Sequence, residues 1–462
     1  MQQRYIRGMA HTNARSDPRG NPCSSNSAAA IEAAELALWR LMSFYDAPLA
    51  DLDTAMLHSP GWALPHAMKA GFLYSLTEPA LRDEAAGHLA QAQALGSSAN
   101  AREQAHIAAL QHIHDGRWQA ACGVWEALLL DYPRDALALQ WAHLWDLQRG
   151  DAAALRLRPA RALPDWDEAD PLYPYVLALY AFGLEECNLY PQAEEAGRRA
   201  LDANPRVPWA MHAVAHVMEM QGRFEEGSAW LRRQRPQWAE GNGFACHLWW
   251  HKGLFRLEAL DLAGVLRLVD QNLSGEALQI TLHRLDTASL LWRMHLLGQD
   301  VSGQYAALLD GWLLPDGTAG NHSFNDLHVV MALLGAGRIA QAERWVARCA
   351  QSALAPADAR RSNRGMARDV GLPLVRGLLA LARGRADDAC DLLAAVRPQC
   401  WRIGGSQAQR DLIDQSLLAA AAQAGRHSLG RALLNERVMA KAMTPLTRHW
   451  AAAVGVLASA SA

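Results

Sequence analysis

Internal repetition restricts this chain more than any other feature. The segments "REQAHIAALQHIHDGRWQAACGVWEALLLDYP" and "YVLALYAFGLEECNLYPQAEEAGRRALDANP" follow one plan: a helix with small residues, a turn, an Ala-containing second helix and a closing proline. The two prolines, Pro133 and Pro205, are 72 residues apart, close to two periods of a helix-pair repeat of roughly 34 residues. Between them "DALALQWAHLWDLQRGDAAALRLR" supplies another pair. Ala109 and Ala121 in the first copy, and Ala181, Ala193 and Ala200 in the second, fall where paired helices cross, so the backbones can approach closely. A single pair cannot bury its apolar side alone, so neighbours must stack.

Helical patterning runs from about residue 28 onward, with no convincing period-two strand. Later pairs read as 245–257 with 259–272, 280–297 with 301–312, 324–335 with 338–352, 368–383 with 385–402, and 406–424 with 427–438, then a last helix from 445. Gly222, Gly298, Gly337, Gly384 and Gly425 punctuate the turns. Interruptions at about 158–171, 233–244 and 313–323 predict loops over one face. The expected fold is all-α: a tetratricopeptide-like α-solenoid of about nine or ten helical hairpins over residues 28–462, curled around a polar pocket and preceded by a flexible segment, 1–27.

Charge and cysteine usage narrow the function classes. The net charge is −3 and no basic stripe stands out, which argues against nucleic-acid binding. No apolar run approaches the roughly 20 residues of a membrane span, and the polar start lacks the apolar stretch of a secretory signal. The seven cysteines are scattered, with no CxxC pair, as expected of reduced thiols in the cytoplasm. No feature demands a second copy of the chain.

The chemistry-bearing residues lie on the first helices of the hairpins. In "PWAMHAVAHVMEMQGRFEEGSAWL", His212, His216, Glu219 and Arg223 fall on one stripe, at steps of four, three and four. "ACHLWWHKGLFRLE" carries His247 and His251 four apart, with Glu258 beyond. "LHRLDTASLLWRM" adds His283, Asp286 and Arg293, "FNDLHVVMALL" adds Asn325, Asp326 and His328, and "FGLEECNLY" adds Glu185 and Glu186. "ARDVGLPL" contributes Arg368 and Asp369, and "RIGGSQAQRDLIDQ" contributes Gln409, Arg410 and Asp411.

Three readings compete. His at i and i+4 lets two imidazoles reach one ion, so His212, His216, His247 and His251 could hold one or two divalent transition metals, with Glu219 or Asp286. Position 213 is Ala, so neither pair matches the metalloprotease pattern. Alternatively, the same histidines serve acid–base chemistry without metal, with Glu219 or Asp286 orienting them and Arg410 binding an anionic group. The third reading is structural: satisfied His–Glu–Arg networks that fix repeat register or bind a ligand without turnover. Trp118, Trp125, Trp141, Trp145 and Trp209 lie at helical spacing and read as packing, and the helix start at "IGGSQAQRD" reads as an ordinary N-cap.

Taken together, "HAVAHVMEMQGRFEEG", "ACHLWWH", "FNDLHVVMALL", "ARDVGLPL" and "IGGSQAQRDL" resemble the tetratricopeptide-repeat protein 38 family, which occurs in animals and bacteria. The resemblance extends upstream and downstream to cover nearly everything from about residue 28. It implies an all-α tetratricopeptide-like fold and little about activity. Positions matching its motifs include Glu186, His212, His216, Glu219, His247, His251, Asp286, Asn325, Asp326, His328, Arg368, Asp369, Arg410 and Asp411, with His66, His106 and His143.

The resulting expectation is a protein that binds a small polar molecule and acts on it by hydrolysis or proton transfer, with a divalent transition metal as one candidate aid. His212, His216, Glu219, His247, His251 and Asp286 would carry the chemistry. Glu186, Asn325, Asp326, His328, Asp369 and Arg410 would bind the ligand. The alternative is a non-catalytic scaffold that binds a protein or peptide segment on its concave face.

Overall fold

The computed structural model describes residues 15–278, 280–310, 312, 318–356 and 360–456. Among them the chain is all-helical apart from a two-residue antiparallel ladder, Arg15–Ser16 with Pro22–Cys23, and an isolated bridge between Tyr45 and Asn242. The repeat pairs appear as Ala101–His114 with Trp118–Asp131, Ala136–Gln148 with Ala152–Ala162, Tyr173–Glu186 with Tyr190–Ala203, and Pro208–Met220 with Phe224–Gln234. The later pairs follow at Ala245–Glu258 with Leu262–Asn272, Thr281–Leu296 with Ser302–Asp310, and Ser323–Gly335 with Ile339–Leu354. Each helix packs on its chain neighbours, and Ala109, Ala121, Ala181, Ala193 and Ala200 are fully buried at the crossings. No helix of the described residues is long and apolar enough to cross a membrane.

Two local expectations need correction. The helix Ala152–Ala162 runs through the start of the loop predicted at 158–171, with Pro159 inside it. The helix predicted over 368–383 begins earlier, as Ser362–Met366, and passes through a π-helical turn, Ala367–Gly371, before Leu372–Ala382. Part of the predicted loop at 313–323 lies outside the described residues.

First and second helices differ in burial. Tyr190–Ala203 buries only Ala193, Ala196, Gly197, Ala200 and Leu201, a single helical stripe. Pro208–Met220 buries every residue from 208 to 219. First helices are enclosed because later parts of the chain return across the interior. Gln407–Gln423 packs against both Thr281–Leu296 and Pro208–Met220. Trp292 Nε1 donates to Ser416 Oγ at 2.9 Å, and Arg293 Nη2 donates to the Ala408 carbonyl at 2.7 Å. Elsewhere the Ser362 amide donates to the Gly116 carbonyl at 2.8 Å, and Gly405 N to Leu147 O at 3.2 Å.

The N-terminal segment also differs from expectation. Residues 1–14 of the predicted flexible stretch lie outside the described residues, but 15–27 pack onto the helices. Buried Arg19 bonds both oxygens of Glu35, at 2.6 and 2.7 Å, and Asp17. The Ser24 amide donates to Glu103 Oε1 at 3.0 Å. The polar composition that suggested a free segment is consumed by these specific partners.

The contact between residues 147–150 and 401–405 fixes a backbone requirement. Gly150 has φ +70°, and a Cβ there would collide with the Trp401 carbonyl oxygen. Gly337 has φ +71° with open space around it. Gly337→Ala is therefore expected to cost about 1–2 kcal/mol, the left-handed penalty alone. Gly150→Ala adds the collision and should cost roughly 2–5 kcal/mol. Equal shifts in the two urea midpoints would refute this closing contact.

Candidate metal centre

The helix Pro208–Met220 starts at Pro208, whose fixed φ suits a first turn, and ends before Gly222, at φ +73°. Those limits place His212, His216 and Glu219 on one enclosed stripe. The next first helix, Ala245–Glu258, sets His247 and His251 beside them. Ring centroids lie 4.3 Å apart for His212–His216 and 4.5 Å for His216–His251. They lie 4.9 Å apart for His212–His247, His212–His251 and His247–His251. One nitrogen of each of the four rings lies within 4.8 Å of those of the other three, and His212 Nε2 is 3.1 Å from His247 Nε2.

Carboxylates stand behind three of the rings. Asp286, on Thr281–Leu296, accepts from His247 Nδ1 at 2.9 Å. Glu219 accepts from His251 Nδ1 at 3.2 Å. Glu185 Oε2 lies 3.4 Å from His216 Nδ1, at ion-pair distance but outside hydrogen-bond geometry. The opposite nitrogens of His247 and His251 face the cluster. His212 Nδ1, His251 Nε2 and both nitrogens of His216 are buried without a hydrogen-bond partner. Phe182, Trp209, Phe244 and Trp250 wall the group; Trp250 stacks on His247 at 5.0 Å and donates to Ser289 Oγ at 2.8 Å.

Burial governs the charge state. It pushes His216 down to about 4, and it pushes His212 and His251 well below the ordinary imidazole range, helped by neighbouring imidazoles. It raises Glu219 to about 7 and Glu185 to about 8. Glu186 rises to about 7 through burial and then through Glu185. Without an ion, burial therefore favours neutral His212, His216 and His251 and protonated Glu185, Glu186 and Glu219.

A cleft of about 600 Å³ adjoins the centre, with Glu219, Arg410, Asp411, Arg437 and Lys441 in its wall. Glu219 thus touches both His251 and the cleft. Arg410 bonds Glu186 Oε2 at 3.3 Å and the carbonyl of Gly405, while the Gln407 amide donates to Glu186 Oε1 at 2.8 Å. Ser406 caps this helix through a capping box with Gln409.

His212, His216, Glu219, His247, His251, Asp286, Glu186 and Arg410 are thus brought together. His328 is buried and donates from Nδ1 to the Phe324 carbonyl at 2.7 Å. It interacts with Asp286 only through its field. Asn325 and Asp326 do not reach the cluster: Asn325 bonds Thr77, and Asp326 accepts from Gly320 N and Trp345 Nε1. The i, i+3 face shared with His328 had suggested otherwise. Asp369, expected at the ligand site, pairs with Arg368 and Arg402 toward solvent. Arg223 leaves the stripe because the helix ends at Met220; it pairs with Glu194 and Glu226. His106 bonds Asp135 at 3.0 Å, and His66 sits against His88. His143, buried against Phe182 and Trp209, borders the centre.

Sequence reasoning placed Glu185 among the polar stripes without a specific task, and missed Gln407 and Lys441. Glu185 was visible beside Glu186. Lys441 had no signal, since it lies just beyond a helix end and reaches Glu258, 183 residues earlier, at 2.6 Å. No protein-family model matches the chain.

In chelator-treated protein, Glu185, Glu186 and Glu219 keep protons that the unfolded chain has released above about pH 4.5. The native state then binds more protons, so stability must fall as pH rises through about 7 to 8. The imidazole effect, lost stability below about pH 6.5, lies outside that window. Glu185→Gln should flatten the decline by up to about 1.4 kcal/mol per pH unit. Denaturant unfolding from pH 6.5 to 8.5 measures it, and an identical slope in both proteins would refute the buried acid.

Proposed function

We propose that this chain is a helical-repeat enzyme in which His212, His216, His247 and His251 hold a divalent transition metal. It acts on a small polar molecule admitted through the adjoining cleft, by hydrolysis or proton transfer. We also propose that it belongs with the tetratricopeptide-repeat protein 38 proteins it resembles. One observation carries the metal reading: carboxylates stand behind three converging imidazoles, Asp286 behind His247, Glu219 behind His251 and Glu185 behind His216. Metal-bound histidine characteristically has its other nitrogen held in this way. The donor set also fits. Buried nitrogens without partners cost about 1–3 kcal/mol each, and a dication would take one nitrogen from each of the four rings.

Such an ion supplies Lewis acidity and lowers the pKa of bound water. The chain's own residues do the rest. Asp286 and Glu219 fix ring orientation and hold Nδ1 protons. Glu219, at the boundary of centre and cleft, is placed to take or return a proton. Phe182, Trp209 and Phe244 exclude bulk water. The peptide-scaffold reading finds less support, because these polar stripes face an enclosed interior instead of a long open groove.

Protein purified without an affinity metal should retain about one transition-metal equivalent per chain, and chelation should lower its melting temperature. His212→Ala and His251→Ala should abolish retention, while Asp286→Asn should weaken affinity by about 10–100-fold. If wild type and both alanine variants carry no metal and share the same ligand-induced melting behaviour, the proposal fails.

A further inference from the structure

Glu185 is the least supported charge-bearing group in the interior. It is fully buried, and its carboxyl oxygens accept from no amide, hydroxyl or cationic group; the one group within hydrogen-bond reach is the neighbouring Glu186 carboxyl. Asp135 shows what a purely structural acid looks like here: equally buried, it accepts from Arg102 Nε at 2.6 Å and His106 Nε2 at 3.0 Å. The basic group near Glu185, Arg410, instead bonds its neighbour Glu186. His216, fully buried, presents two unpartnered nitrogens beside Glu185.

Position in the helix sharpens the problem. Glu185 and Glu186 are the last two residues of Tyr173–Glu186. Unpaired carbonyls there concentrate partial negative charge, which disfavours carboxylates and favours cations. Two adjacent acids at that end, enclosed with an imidazole, form an electron-rich pocket short of positive charge. One oxygen or nitrogen from each of Glu185, Glu186 and His216 lies within 4.8 Å of the other two.

We infer that Glu185, Glu186 and His216 form a second divalent-cation site beside the imidazole centre, making a two-metal centre. This rests on the metal reading of the first site. His216 serves the second ion through the nitrogen facing Glu185, which narrows the first site proposed above from four imidazoles to His212, His247 and His251. Three imidazoles with an open position match a catalytic zinc-type site. A mixed carboxylate–imidazole set suits zinc, manganese or iron. Paired ions roughly 3.5–4 Å apart suit displacement at a phosphoryl or acyl centre. Arg410, on Glu186 and in the cleft wall, stands where such an anionic group enters.

Full-length protein stripped with chelator and dialysed against Mn²⁺ tests this by metal counting and electron paramagnetic resonance. Wild type should bind two equivalents with an exchange-coupled signal. Glu185→Gln should bind one, with an isolated-ion signal. One equivalent in both proteins overturns the second site and leaves the first standing; no binding in either overturns both. If Glu185→Gln fails to fold, the wild type decides alone: a coupled pair supports the inference, and an isolated ion overturns it.

Discussion

The cost of enclosing polar groups dominates this structure. Water cannot reach His216, His251 or Glu185, so each proton and lone pair must find a partner inside the chain or remain unsatisfied. A neutral imidazole offers one donor and one acceptor. When Nδ1 of His247 and His251 donates to a carboxylate, Nε2 of the same ring becomes the acceptor. His247 Nε2 can then accept from His212 Nε2 across 3.1 Å, but His251 Nε2 and both nitrogens of His216 find no donor. Whichever tautomer His212 adopts, its buried Nδ1 stays unpaired. A cation held through one nitrogen of each ring would neutralise the acceptors that converge at the centre, while His212 Nδ1 would still lack a partner.

Stacked hairpins bring these groups together through their spacing. His212 and His247, 35 residues apart, sit at equivalent levels of neighbouring first helices, and Asp286 continues the row on the next helix. A second row runs from Glu185 to His216, and Glu219 links to His251. Register along each helix, set by turns such as Gly222, aligns the rows. Gln407–Gln423 then packs across Pro208–Met220 and Thr281–Leu296, covering the first helices that carry these rows.

The rows were legible in the sequence because they depend on local periodicity and repeat spacing. The helix pairs, the crossing alanines and the histidine stripes all followed from that logic. Contacts across the interior were not legible. Glu186 with Gln407, Glu258 with Lys441 and Trp292 with Ser416 each join residues more than a hundred positions apart, and no periodicity encodes them. Helix faces also mislead when a nearer partner exists. Asp326 shares a helix with His328, yet Trp345 and Gly320 claim it. Asp369 starts beside a motif and ends among surface arginines. Residues 15–27 looked free because their partners, Glu35 and Glu103, are met only through pairings across the chain that local patterning does not encode.

Enclosure also gives the centre two unequal sides. His247 is the one imidazole of the four with a side chain as much as 14 % exposed; Phe244 and Asp286 frame it. On the other side, Glu219 opens to the cleft, whose arginines are already engaged: Arg437 with Asp411, Arg397 with Asp414 and Glu436. Engaged cations add little net field, so long-range attraction is weak and recognition depends on local hydrogen bonding. Arg410 differs, because two of its partners are backbone carbonyls, of Gly404 and Gly405. It can exchange a carbonyl for an incoming anion without stranding a buried carboxylate. Under the proposed function, that asymmetry would put substrate capture on the Arg410 side and leave the narrow His247 side to proton and water exchange.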